Sequence, residues 1–242
     1  MQPVARDRVD ASWRALFGTT ASADLVVITR HRTPPVHDHP RIEAVLRRGT
    51  AYVSAPESLV DVIRGWGPDP TTVTNPTWWS RRLPDWLILG PSVHAFTDAV
   101  PAIDARESPL RIEPVSARQL TELRCRVDPA EWSESGFGGN DIEFAWQAVN
   151  EAGHIVAAAN LTPFDGSPAD VGVLTRPDAR GRGAASAVAA RATAHAVREF
   201  GIARWRALSG NTASLRVARH LGFEPDCLHI ALRPLGRRAG EG

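Results

Sequence analysis

The turn Arg180-Gly181-Arg182-Gly183-Ala184-Ala185 holds the residues whose types and spacing do the most specific chemistry in this 242-residue chain. It follows an apolar run at 171–175 and opens an alanine-rich stretch that ends at 200, which reads as strand, glycine turn and helix. A helix start leaves backbone N–H groups without partners and carries the positive end of the helix dipole. Such a turn is suited to an anion, above all a phosphate. Gly181 and Gly183 permit positive φ and let the backbone approach a ligand without a Cβ in the way. Arg180 and Arg182 add fixed positive charge beside it.

Spacing excludes two common glycine loops. A dinucleotide fingerprint needs Gly-x-Gly-x-x-Gly and an acid about 20 residues further on. Here the third glycine position is Ser186, and the stretch near Ala203 offers arginines. A P-loop needs a lysine, and this chain has none: all 28 basic residues are arginine. What remains, Arg-x-x-Gly-x-Ala at 180–185, resembles the acetyl-CoA-binding motif of the GCN5-related N-acetyltransferases (GNATs), written Gln/Arg-x-x-Gly-x-Gly/Ala. A second block, Asn211-Thr-Ala-Ser-Leu-Arg-Val-Ala-Arg-His-Leu-Gly-Phe, is similar to that family's Asn-x-x-Ser helix ending in Leu-Gly-Phe. Its local physics agrees. Asn211 is a good N-cap, Leu215, Val217, Ala218 and Leu221 make an apolar face, and Gly222 suits the left-handed residue that ends a helix.

The whole chain bounds the reading. Its length allows one large domain or two small ones, with 43% hydrophobic and 23% charged residues as in an ordinary globular protein. A net charge of +1 argues against nucleic acid or an anionic membrane as the main partner. Cys125 and Cys227 stand far apart without metal spacing, which suggests two free thiols in a reducing compartment. With no signal-like start and no apolar run of spanning length, a cytoplasmic location is expected.

Residues 1–105 read as an accessory α/β domain, with a degenerate GNAT-like half as the alternative. Helices are predicted at 9–17, 42–48 and from Pro56 to about Gly65, and strands at 25–29, 50–54 and 86–89. Residues 106–235 carry the family pattern. Strands are predicted at 110–114, 142–149, 154–160, 171–175, 203–208 and 228–232, and helices at 117–127, 184–200 and after Asn211. Residues 132–140 read as a loop, and 236–242 as a disordered tail. The fold class expected from the resemblance is α/β (α+β). It is the GNAT fold, a mixed central sheet with splayed fourth and fifth strands and flanking helices, preceded by the smaller α/β domain. An N-terminal domain of this size also resembles a bacterial subgroup that includes a zwittermicin A-resistance acetyltransferase.

The resemblance implies acetyl-CoA as co-substrate and direct attack by a primary amine. Val173, Leu174 and Thr175 would bond the pantetheine arm through their backbone. Arg180, Gly181, Arg182, Gly183, Ala184 and Ala185 would cradle the pyrophosphate. The oxyanion would meet an N–H near Val173 or Leu174, and Asn211 would cap its helix and touch the cofactor. The tyrosine that reprotonates the thiolate in many relatives falls at Ala218, so Ser214 or water would serve. The glutamate often used as base falls at Ala169. Asp170 is one place off and reaches the right face only with a β-bulge, while Glu143 and His154 are alternatives.

Three features carry less. His31, His37, Asp38 and His39 lie in a proline-rich loop without ligand spacing, so no metal is expected. Trp78, Trp79 and Trp86 read as filling between the two domains. Glu131, Trp132 and Glu134, beside Phe137-Gly138-Gly139, could instead hold a cationic amine. The expected function is acetyl transfer to a small-molecule amine such as an antibiotic, amino acid or metabolite. The alternatives are a protein amine acetyltransferase and a non-catalytic acyl-CoA-binding regulatory module. A homodimer is a possible state.

Overall fold

The computed structural model describes residues 1–18, 25–29, 41–102, 110–139 and 142–235. They form two compact units, one from residues 1–5, 95–206 and 211–225, the other from residues 6–94, 207–210 and 226 onward. The disordered tail expected at 236–242 and the histidines at 31–39 lie outside the described residues.

The second unit takes most of α1 (Pro3–Phe17), β1 (Leu25–Thr29), β2 (Ile42–Arg47), β3 (Thr50–Ala55), α2 (Glu57–Gly65), α3 (Pro76–Ser80), most of β4 (Trp86–Thr97) and most of β10 (Glu224–Pro234). Its strands run β1-β3-β2-β10-β4. The helix expected at 42–48 is a correction: this stretch is β2. Its Glu, Ala, Leu and Arg favour a helix, but Arg48 (φ 51) and Gly49 (φ 85) form a two-residue turn that pairs Arg47 with Thr50. Ile42, Glu43, Ala44 and Val45 are all buried, so no two-residue alternation was visible. The strand expected at 228–232 to close the acetyltransferase sheet instead pairs with β2, Leu228 opposite Leu46 and Leu232 opposite Ile42.

The tryptophans are also reassigned. Trp79 is fully buried in this unit's own core with Ile42, Val53, Ile63 and Ile230, and Trp78 and Trp86 pack against that cluster. Trp79 satisfies its indole N–H on the Val73 carbonyl at 2.8 Å, which lets the ring lie in an apolar core. Tyr52, the sole tyrosine, lines a cavity of about 130 Å³ in this unit with Trp13, Phe17 and Val45.

The first unit holds β5 (Arg111–Pro114), α4 (Thr121–Arg124), α5 (Pro129–Glu134), β6 (Phe144–Val149), β7 (Ile155–Phe164), β8 (Ser167–Thr175), α6 (Ala184–Phe200), β9 (Ala203–Leu208, to residue 206) and α7 (Thr212–His220). Strand order is β9-β8-β7-β6-β5, antiparallel except for the parallel β8–β9 step across α6. This is the mixed α/β sheet with flanking helices that the resemblance predicts. The single helix expected at 117–127 is broken into a 3₁₀ turn and α4. The loop expected at 132–140 begins as the end of α5, because Asp128 caps Ala130 N–H at 2.7 Å and Pro129 takes the first helical position.

The two faces of this sheet differ, and the difference positions the site. Ala145, Ala158 and Leu174 turn toward α4 and α5, where they meet Leu120, Leu123, Trp132 and Phe137. Phe144 and Trp146 turn the other way, with ring centroids 4.5 and 5.1 Å from His195 of α6. Alanines at 187, 189, 190, 192, 194 and 196 are buried, which lets α6 lie close on the sheet.

Candidate active site

β8 and β9 pair at only two positions, Asp170 with Arg204 and Val171 with Trp205, and part beyond them. This is the expected splay. Which backbone groups face the gap follows from the ladder on the other edge. Arg176 N–H donates to the Val156 carbonyl at 2.9 Å, and antiparallel bonding repeats every second residue, so Leu174 and Gly172 also face β7. Val173 and Thr175 therefore turn N–H and C=O toward the gap. Leu174 does not: its backbone belongs to the β7 ladder and its side chain to the core.

At the end of β8, Arg176 pairs with Asp178 at 2.5 Å and a 3₁₀ turn leads to the glycines. Gly181 (φ 73) and Gly183 (φ 81) both take the left-handed conformation, and a Cβ at either would meet nothing within 4 Å. The turn thus opens on free space. Gly183 is the N-cap of α6 and supplies no side-chain cap, so the N–H groups of Ala184, Ala185 and Ser186 point outward from the helix start. Arg180 reaches back: Nη2 donates to both oxygens of Glu131 at 2.9 and 2.7 Å, and Nε to the Thr175 carbonyl at 3.4 Å. Arg182 is exposed. A free N-terminus, two glycines and an unpaired strand edge in succession fit a ligand with an amide-bearing arm and a diphosphate. Replacing Gly183 by valine puts a β-branched residue at positive φ, a strain of about 1–2 kcal/mol or more, and blocks the cradle. Acetyl-CoA affinity measured by calorimetry is expected to fall at least about tenfold.

The acid–base candidates are placed as follows. Asp170 is 5% exposed, and its carboxylate accepts from Arg204 Nε at 3.0 Å and Nη2 at 2.6 Å. Arg206 lies 3.6 Å away. Burial pushes the Asp170 carboxyl up, but the charge and hydrogen bonds of Arg204 and the charge of Arg206 outweigh it and hold it below the usual carboxylate range. The bulge in this strand falls at Ala169, ahead of Asp170, since Thr162 pairs with Asp170 and Pro163 with Pro168, while residues 170–175 pair with β7 without a shift. Plain alternation therefore keeps Asp170 on the face of Gly172 and Leu174, opposite Val173 and the face expected of the base, where it is the ionised partner of two arginines. That makes it a weak acceptor for a proton from an amine.

Glu143 is exposed, one residue before β6 and so two strands from β8, about 10 Å in sheet spacing. His154 sits in the β6–β7 turn, 3.8 Å from Glu122. Ser214 Oγ accepts the Trp205 indole N–H at 3.0 Å, which leaves its own proton free to donate. Asn211 Oδ1 accepts Ser214 N–H at 3.1 Å and caps α7. Ala218 is 3% exposed, so the usual tyrosine position is packed shut. Glu131 and Trp132, weighed as an amine site, are engaged elsewhere, the first by Arg180 and the second in the α4–α5 core. Among the described residues no group of side chains could hold a metal, and no helix is long and apolar enough to cross a membrane.

Two features escaped the sequence reading. Asn160, fully buried on β7, donates through Nδ2 to the Ser135 carbonyl at 3.0 Å and pins the turn after α5 onto the sheet. Gly172 lies directly beneath that turn: a Cβ there would stand 2.0 Å from Ser135 O and 2.4 Å from Asn160 Oδ1. A glycine inside a strand, and a lone asparagine in an alanine run, were the available signals.

The splayed strands, the glycine turn and the helix behind them form a mixed sheet of the GNAT type, and the family match agrees. Residues 99–224 match the model of the acetyltransferase (GNAT) domain, more than half of the chain, and the chain belongs to this family. No curated protein matches. Among solved structures it is similar to a putative GNAT-family acetyltransferase from Novosphingobium aromaticivorans (18% identity, 62% of this chain and 68% of that one, TM-score 0.47). It is also similar to a GCN5-related N-acetyltransferase-like protein from Streptococcus suis (18%, 80% and 83%, TM-score 0.46). A third is a GNAT-family acetyltransferase from Colwellia psychrerythraea (18%, 61% and 57%, TM-score 0.46). The family assignment rests on the domain match, not on these likenesses.

Proposed function

We propose that this chain uses acetyl-CoA to acetylate the primary amine of a small molecule, by direct attack and without a covalent enzyme intermediate. The observation that carries the reading is the parting of β8 from β9 beyond Val171, in line with the uncapped start of α6. Acetyl-CoA supplies the acetyl group already activated as a thioester. The chain does the rest. Val173 and Thr175 bond the pantetheine arm at the open edge, and the N–H groups from Gly181 to Ala185 hold the diphosphate with Arg182 beside them, the Arg180 N–H being taken by the Pro177 carbonyl. The Val173 N–H is the donor aimed at charge developing on the acetyl oxygen. Ser214 donates its free proton toward the departing sulfur, whose ordinary thiol pKa of about 8.5 also tolerates unassisted departure. Glu143 accepts the proton of the amine, through water given its distance from β8. Asp170 holds Arg204 and Arg206.

A small acceptor is favoured by the turn at 135–139. It lies on Gly172, and this covers one side of β8 where a peptide would need an open groove. One observation favours the second reading, a non-catalytic acyl-CoA-binding module: the buried Ala218 where relatives keep a tyrosine. Thiol release from acetyl-CoA across a panel of small amines and of peptides with free amino groups separates the readings. Release with small amines only is the expected result. Release with peptides only would move the acceptor to proteins, and none with any amine would favour the module.

A further inference from the structure

We infer that the acceptor amine carries a carboxylate, as an amino acid does, and that Arg206 binds it; this deepens the acetyltransferase reading and rests on it. Arg204 stands directly opposite Asp170 in the β8–β9 ladder, so the two side chains share a face, and Arg206 lies on that face two residues on. Gly172 and Leu174 share it too, and Leu174 packs under α4 and α5. The indole of Trp205 takes the opposite face, toward Ser214 of α7. α6 is also on that opposite face, against Phe144 and Trp146. Arg206 is therefore on the far side of the sheet from the helix that offers its N-terminus to the cofactor phosphates. We place the acceptor on this face, beside the turn at 135–139 that bounds it over Gly172.

The local charge favours an anion there. Both Asp170 oxygens are taken by Arg204, which also lies over the Phe164 ring at 4.6 Å and is fixed in place. Arg206 makes no hydrogen bond to Asp170 at 3.6 Å, and its side chain is 53% exposed. Two guanidinium groups and one carboxylate leave one net positive charge. Among the described residues the Arg206 side chain makes only this 3.6 Å ion pair and no hydrogen bond, so its fork of donors can take a planar, bidentate partner. β9 pairs with β8 no further than Trp205, so Arg206 projects where the gap begins. An amine carrying a carboxylate is held by Arg206 at one end, with its nitrogen directed toward Val173.

The test compares thiol release with the twenty common amino acids and with their carboxamides, for the parent chain and Arg206→Gln. The inference predicts that at least one amino acid exceeds its own amide by about ten- to hundred-fold in kcat/KM, as a charge-assisted hydrogen-bond pair supports. In Arg206→Gln that preference should collapse, mainly through KM, while acetyl-CoA affinity and thermal midpoint stay as in the parent. Equal use of acids and amides by the parent, a preference intact in the variant, or no turnover of any acid would overturn it. Acetyl-CoA binding, measured on the same samples by calorimetry, reports on the acetyltransferase reading separately.

Discussion

Gly172→Ala is expected to be among the most damaging single changes in the chain. The added Cβ would sit 2.0 Å from the Ser135 carbonyl oxygen and 2.4 Å from Asn160 Oδ1, far inside contact distance. Neither neighbour yields easily, one being backbone and the other fully buried and bonded to it. Overpacking of this kind costs about 3 kcal/mol. For a chain of this size that lowers the thermal midpoint by roughly 6–12 °C. Because relief requires β8 or the turn at 135–139 to move, acetyl-CoA binding at the Val173 edge should weaken as well. Gly210→Ala is the matching control, since a Cβ there meets nothing within 4 Å. Thermal melts of both variants check the point. A Gly172→Ala protein as stable as the control would show that the turn does not rest on β8 as described.

Asp170→Asn should rival it. The change leaves Arg204, 15% exposed at its side chain, with its charge half-buried and uncompensated, a loss of about 3–5 kcal/mol for a broken buried pair. The sign of its pH dependence is fixed by the direction of the shift. The folded pKa of Asp170 is depressed, so its stabilisation is fully present above the unfolded value of about 4 and is lost as pH falls through the folded one. Urea unfolding at neutral pH should therefore separate parent and variant widely, and the gap should narrow below about pH 4. A gap independent of pH would remove the ion pair as its cause. The experiment also bears on mechanism. A carboxylate that serves to hold two arginines loses folding stability and acceptor affinity together when replaced, whereas a proton acceptor loses kcat first.

Much of the acetyltransferase half was legible because its signals are local. The glycine turn, the length of α6, the limits of β9 and the Asn211 cap are set by residues near in sequence, and each lies where spacing put it. The splay of β8 from β9 followed from the resemblance and not from any pattern in the residues. What failed depended on partners far along the chain. β2 has the composition of a helix and is a strand because β3 and β10 flank it. The last strand pairs with β2, a choice nothing in its own residues reveals. Asp170 read as a free carboxylate because Arg204 and Arg206, 34 and 36 positions on, had no assigned face. The alternation Arg204-Trp205-Arg206 was visible. Only the β8–β9 register showed that both arginines meet the aspartate.

The most direct test is titration of the full chain with acetyl-CoA by calorimetry, followed in the same cell by amine and a thiol reagent. Saturable binding, weakened by Gly183→Val, and then amine-dependent thiol release is the predicted result. A flat titration would contradict the central claim, because the turn at 180–185 and the open edge of β8 would then hold no cofactor.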